Sequence, residues 1–150
     1  IAGSSINRFG DYLKKKIEIN NLKKKIYIIE DISNNYWFEI LRKSHLGLCF
    51  YKQTSLSHKY MAGTSQKFNN YLSFNLPMIV NNSNDFIKFK ENEDIFEIVN
   101  PKMPKDIAKK IQYLLNDSNR YEEIKKNLSK AFNSEFNFDK QFENSYKRFI

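Results

Sequence analysis

The chain has 150 residues, 41% of them hydrophobic and 15% aromatic, with 25 Lys and Arg against 17 Asp and Glu for a net charge of +8. That is the composition of one folded domain with its own core, and it excludes a disordered or collagen-like chain. A single cysteine, Cys49, excludes an internal disulfide and favours a reducing compartment, the cytoplasm, over a secreted protein without disulfides; no apolar run approaches the roughly 18–20 residues of a membrane span.

The opening IAGSSINRFG lacks a signal peptide's basic and apolar regions and an initiator Met, so the chain is read as a soluble or peripheral fragment of a longer protein. Five short apolar runs predict strands: IAG at the start, KKIYIIE at about 24–30, HLGLCFY at about 45–51, LPMIV at about 76–80 and DIFEIV at about 94–99. Each is brief and rich in Ile, Val, Leu or Phe, as strands covered on both faces are. Between them Phe9, Leu13 and Ile17 repeat at helical spacing, as do Tyr36, Ile40 and Leu41. A third helix is predicted to start at Thr64 and Ser65, good N-cap residues, and to run through Phe68, Tyr71 and Leu72 to Asn75, with Pro77 preventing its continuation. After the last strand only helical periodicity remains, through Ile107, Ile111 and Leu114, then Tyr121, Ile124 and Leu128, then Phe138, Phe142 and Tyr146, with a turn and cap at Asn116–Ser118. Strands alternating with helices and followed by C-terminal helices predict a single α/β domain over 1–150, a Rossmann-like doubly wound parallel sheet. Ligands bind such sheets at the carboxyl ends of the strands, so the loops of interest follow Gly3, Glu30, Tyr51 and Val80.

Charge is uneven. Residues 1–75 carry 12 basic and 5 acidic side chains, and residues 76–150 carry 13 and 12. The clusters Lys14–Lys16 and Lys23–Lys25 have the chemistry of nucleic-acid or anionic-membrane patches, or of a solvated lysine face, and the last reading is preferred. No zinc spacing, GXXG loop or RNP-like aromatic strand accompanies them, so no specific nucleic-acid partner is expected.

The strongest local signal is the long loop YKQTSLSHKYMAG, residues 51–63, ending in Gly63-Thr64-Ser65-Gln66-Lys67. A small residue and two hydroxyls at a helix N-terminus leave N–H groups and a partial positive charge pointing outward, which suits a phosphate. Lys67 opposes the helix dipole in the first turn, a placement that makes more sense beside an anion. His45 and His58 are too far apart to make a metal site, and no metal is expected; His58 borders the loop and can touch phosphate or sugar. Cys49 reads as a buried small hydrophobe; Tyr36 and Trp37 have the chemistry to stack on a nucleobase, with core preferred for Trp37, and Glu30 or Asp31 can bond a base or ribose or, the preferred reading, cap the following helix.

The run HLGLCFYKQTSLSHKYMAGTSQKFNNYLSFNLPMIV resembles the donor-binding, C-terminal half of GT-B glycosyltransferases of the group 1 type. There a strand of the type a-D-h-G-L leads through a loop to S-P-x-K-h-x-E-Y-h-A-x-G-h-P-V-I. The matching positions are Gly47-Leu48, Thr64, Lys67, Tyr71-Leu72 and Leu76-Pro77-Met78-Ile79; NDFI with ENEDIFEIV, and PKDIAKKIQYLLNDSNRYEEIKKNLSKAF, resemble the family's following segments. The likeness covers about residues 45–150 well and 1–44 loosely.

The resemblance implies a nucleotide-diphosphate-sugar site, such as one for a UDP-sugar, with no metal or other cofactor. It implies transfer of a hexose to a polysaccharide or glycolipid acceptor, of bacterial type, in the cytoplasm or at the inner face of a membrane. Gly63, Thr64, Ser65 and Gln66 would cradle the diphosphate and Lys67 would neutralise its charge, with Asn70, Tyr51, Lys52 and His58 as ribose or sugar candidates. Two glutamates eight positions apart in many retaining relatives are Ala62 and Asn70 here, which leaves the stereochemistry open. The resemblance also implies that the first strand and the acceptor-binding domain, which would supply any catalytic base, lie outside this chain, so that the chain alone is expected to be inactive. A non-catalytic Rossmann-like binding domain and a basic nucleic-acid- or membrane-associated domain are the alternatives.

Overall fold

A computed structural model describes residues 8–52, 54 and 57–147 of the chain, which divides into two compact units, one ending at Lys43 and one beginning at Ser44. The first holds helices α1 (Arg8–Ile19) and α2 (Asn34–Lys43), at the positions where Leu13 and Ile17, and Tyr36 and Ile40, set the helical period. The run at 24–30 is not the predicted strand. Asn21 turns the chain at φ 54°, and the N–H groups of Lys25 and Ile26 both bond the Leu22 carbonyl at 2.9 Å, so a turn takes up the backbone bonds and only Ile29 is bridged. Nor do Glu30 or Asp31 cap α2: Glu30 pairs with Lys14 at 2.9 Å, Asp31 has φ 50°, and the Ser33 hydroxyl accepts from the Tyr36 N–H at 3.3 Å. The predicted IAG strand lies outside the described residues.

The second unit runs β1 (Gly47–Cys49), a 3-10 turn (Ser57–Lys59), α3 (Gln66–Ser73), β2 (Met78–Asn81), α4 (Asn84–Asn92), β3 (Phe96–Val99), α5 (Pro104–Asn116), α6 (Ser118–Ala131), a π-turn (Phe132–Phe136) and α7 (Phe138–Tyr146). The strands are parallel in the order β1-β2-β3, with Gly47 opposite Met78 and Met78 opposite Phe96. This mixed α/β architecture is compatible with a Rossmann-like fold. Its sheet has three strands among the described residues, where the sequence predicts five, and is too small to be called doubly wound.

The register sorts the side chains by face, because successive residues of a strand point to opposite sides. Gly47, Cys49, Met78, Val80 and Phe96 share one face, against α3 and α4, where Phe68, Phe86, Phe89 and Phe96 join ring to ring at centroid distances of 5.5–6.0 Å. Gly47 is required there: a Cβ at this position would lie 2.6 Å from the Tyr71 ring of α3, which sits directly on the strand. The end of α3 is a Schellman motif. Asn75 adopts φ 53° and donates to the Leu72 carbonyl at 3.0 Å, while the Leu76 N–H reaches the Tyr71 carbonyl at 2.9 Å, which turns the chain directly into Pro77 and β2.

Leu48, Ile79 and Glu97 share the other face. Glu97, 8% exposed, is met by α5 and α6: the Arg120 Nη2 lies 2.9 Å and its Nε 3.1 Å from Oε1, and Lys110 lies 3.3 Å from Oε2. Arg120 also takes Asp94 in a fork of 2.7 and 2.8 Å and Glu123 at 2.7 Å, and Lys90 lies 3.0 Å from Asp94. Below the strands, α6 hydrogen-bonds their entry points: the Tyr121 hydroxyl donates to the His45 carbonyl at 2.8 Å and the Asn127 amide to the Asp94 carbonyl at 3.0 Å. Ile124 and Leu128 of the same helix are fully buried.

Candidate functional site

The site region lies at the carboxyl ends of β1 and β2, where the chain leaves β1 through the long loop and re-enters at α3. Ser65 is the N-cap of α3, as predicted: its backbone is extended and its hydroxyl accepts from the Phe68 N–H at 3.2 Å. Thr64 stands one residue before it, its hydroxyl donating to the Tyr60 carbonyl. The N–H groups of Thr64 and Ser65 are taken by the Met61 carbonyl, at 3.4 and 3.2 Å, so neither is available to a phosphate. The open donors are one step further on. Among the described residues no acceptor meets the N–H groups of Gln66 and Lys67, the first two of the helix, as expected for a helix start.

Gly63 occupies φ +74°, a conformation that L side chains rarely adopt, and packs its Cα side against Phe89 and Phe136. That backbone conformation makes the turn into α3. Lys67 is exposed, and its ammonium sits 5.4 Å from the centroid of the Tyr51 ring; among the described residues it has no carboxylate partner.

Tyr51 is tied on every side. Its N–H donates to the Asn81 side-chain carbonyl at 2.9 Å, its ring stacks on Phe86 at 6.5 Å, and its hydroxyl meets both the Ser65 hydroxyl and the Cys49 thiol, the latter at 3.4 Å. Burial raises the titration of both the Tyr51 hydroxyl and the Cys49 thiol. Lys52 is exposed beside it, and His58 is on the 3-10 turn with Nδ1 3.4 Å from the Thr54 hydroxyl. Asn70 is half-buried one turn along α3 from Gln66, on the same side of the helix. The structure thus gathers Tyr51, Ser65, Gln66 and Lys67 at one place, with the Tyr51 hydroxyl turned toward Ser65 and Cys49.

Two residues that organise this region escaped the sequence reading. Asn81, 3% exposed at the end of β2, anchors the Tyr51 backbone. Asp85, in the first turn of α4, accepts from the N–H groups of Met61 at 2.7 Å and Ala62 at 3.0 Å, and from the Ser83 hydroxyl. One carboxylate therefore pins the long loop to α4. The only sequence signal was the Ser83-Asn84-Asp85 triplet behind a strand, which reads as an ordinary helix start. Beside it opens a cleft of about 610 Å³ bordered by Lys59, Tyr60, Asn82, Ser83, Asp85 and Lys88. Among the described residues no three His, Cys, Asp or Glu side chains gather to hold a metal ion, and no helix is long and apolar enough to cross a membrane.

Burial pushes the Asp85 carboxyl up, but the bonds from Ser83, Ala62, Met61 and the Phe86 N–H outweigh it and hold the group below the usual carboxylate range. A carboxyl depressed in the folded state stabilises fully above its unfolded value, roughly 4, and loses that contribution as pH falls through the folded value. Asp85→Asn is therefore expected to cost about 2 kcal/mol at pH 7. The difference in thermal midpoint between the two proteins should shrink below pH 4; a constant difference would show that the charge is not what holds the loop.

No family model matches this chain, and the comparisons with curated proteins and with solved structures found no match either.

Proposed function

We propose that residues 44–150 are the donor-binding half of a GT-B glycosyltransferase, holding the diphosphate of a nucleotide-sugar for transfer of a hexose to a polysaccharide or glycolipid acceptor. The observation that carries the reading is the start of α3: two N–H groups and an ammonium that have no acceptor or carboxylate partner among the described residues, together at the carboxyl ends of parallel strands. As the sugar leaves, negative charge grows on the diphosphate, and these fixed positive groups stabilise it without proton transfer or a metal. Asn70 hydrogen-bonds a donor hydroxyl in this reading, and the acceptor and any catalytic base belong to a second domain.

The test is calorimetric titration of the chain with UDP, GDP, CDP and ADP at moderate salt. One nucleotide is expected to bind saturably, and Lys67→Ala should weaken it about ten- to a hundredfold, the worth of one charge-assisted hydrogen bond. Absence of saturable binding for all four, or binding indifferent to Lys67, overturns the reading.

A further inference from the structure

Lysine carries one of the largest rotamer entropies of any side chain, so an exposed lysine that serves an anion site loses affinity each time it must be fixed in place. Lys67 is already located: its ammonium rests over the Tyr51 ring, and that ring is itself immobilised by its backbone bond to Asn81, its stacking on Phe86 and its hydroxyl contacts with Ser65 and Cys49. We infer that Tyr51 is a positioning residue, whose ring face holds the Lys67 ammonium beside the open N–H groups of α3. The inference rests on the donor-site reading for its use, and on the geometry alone for the hold.

The ring leaves the ammonium hydrogens on the far side free, so Lys67 can meet an anion without leaving Tyr51. The hydroxyl plays a different part. It faces Ser65, whose oxygen also receives the Phe68 N–H, and so fixes the N-cap of the helix whose donors Lys67 accompanies. Ring and hydroxyl can therefore be separated by substitution: Tyr51→Phe keeps the cation-π face and loses the cap contact, and Tyr51→Leu loses both.

The experiment is nuclear magnetic resonance of lysine side chains in the whole chain, with the Lys67 methylene signal identified by its loss in Lys67→Arg, followed by titration with inorganic pyrophosphate. In the wild type and in Tyr51→Phe the Lys67 signal is expected upfield of the other lysines, shifted by the ring current, and in Tyr51→Leu it should return among them. Pyrophosphate affinity is expected to fall about two- to fivefold in Tyr51→Leu, the worth of an exposed cation-π contact, and to stay within about twofold in Tyr51→Phe. Circular dichroism on each variant verifies that the fold is kept.

A Lys67 signal that is not upfield in the wild type overturns the inference while leaving the donor site standing. The same holds for equal affinities of the wild type and Tyr51→Leu. If the ring-current shift is present but no variant binds pyrophosphate, the donor-site reading fails and the use assigned to Tyr51 fails with it.

Discussion

Arg120→Met is expected to destabilise the second unit by about 3–5 kcal/mol, the range found when one partner of a buried ionic cluster is removed. The methionine keeps the aliphatic stem but strands Glu97, 8% exposed inside the sheet face, with only Lys110 at 3.3 Å and Lys90 at 3.6 Å to offset its charge. It also releases Asp94 from a two-pronged bond. The loss would consume much of a typical domain's 5–15 kcal/mol. Urea denaturation measures it, and a loss under about 1 kcal/mol would mean that the cluster behaves as surface ion pairs do. The pH dependence gives an independent check. The Arg120 guanidinium holds the Asp94 carboxyl down at about 2, and hydrogen bonds from Arg120, with Lys90 and Lys110, keep Glu97 low against the opposing effect of its burial. Both are depressed, so their contribution is complete above roughly pH 4 and drains away toward pH 2. The wild type should lose stability over that interval and Arg120→Met should lose less.

Phe68→Ala is the second large effect expected, at about 3–5 kcal/mol for an aromatic side chain removed from a closed core. Phe68 is fully buried and touches the rings of Phe86, Phe89 and Phe96, so one truncation opens a void shared by α3, α4 and β3. Its backbone N–H is the one that Ser65 caps, which ties the damage to the candidate site. Phe68→Leu, which refills most of the void, should cost clearly less. A similar loss in both variants would show that aromatic geometry, not filled volume, holds α3 on the sheet.

What could be read in the sequence was whatever depends on neighbours along the chain. The cap at Ser65, the left-handed Asn75 before Pro77, and β2 and β3 as short apolar runs are all local, and the structure has them. The run at 24–30 misled because Ile26–Ile29 form the short apolar run of a buried strand, while Asn21 at φ 54° and the bonds from Lys25 and Ile26 to the Leu22 carbonyl make a turn there. Asp85 and Arg120 were unreadable for another reason: their partners lie 23–26 residues away, and nothing in a helix start or an amphipathic helix reveals which distant backbone or carboxylate it will meet. The site candidates divide the same way. The helix start was visible, but the inward turn of the Tyr51 hydroxyl depends on a contact with Ser65 across the loop.

The bond from Tyr121 to the His45 carbonyl closes a span of 76 residues. During synthesis all three strands leave the ribosome before α6, so the groups that close their entry ends arrive after them. Until then the strands lack the groups that close their lower rim, and long-range parallel pairing of this kind is slow to form. A chain stopped before α6 would lack the groups that close that rim, and its sheet is expected to be less protected than the whole chain's.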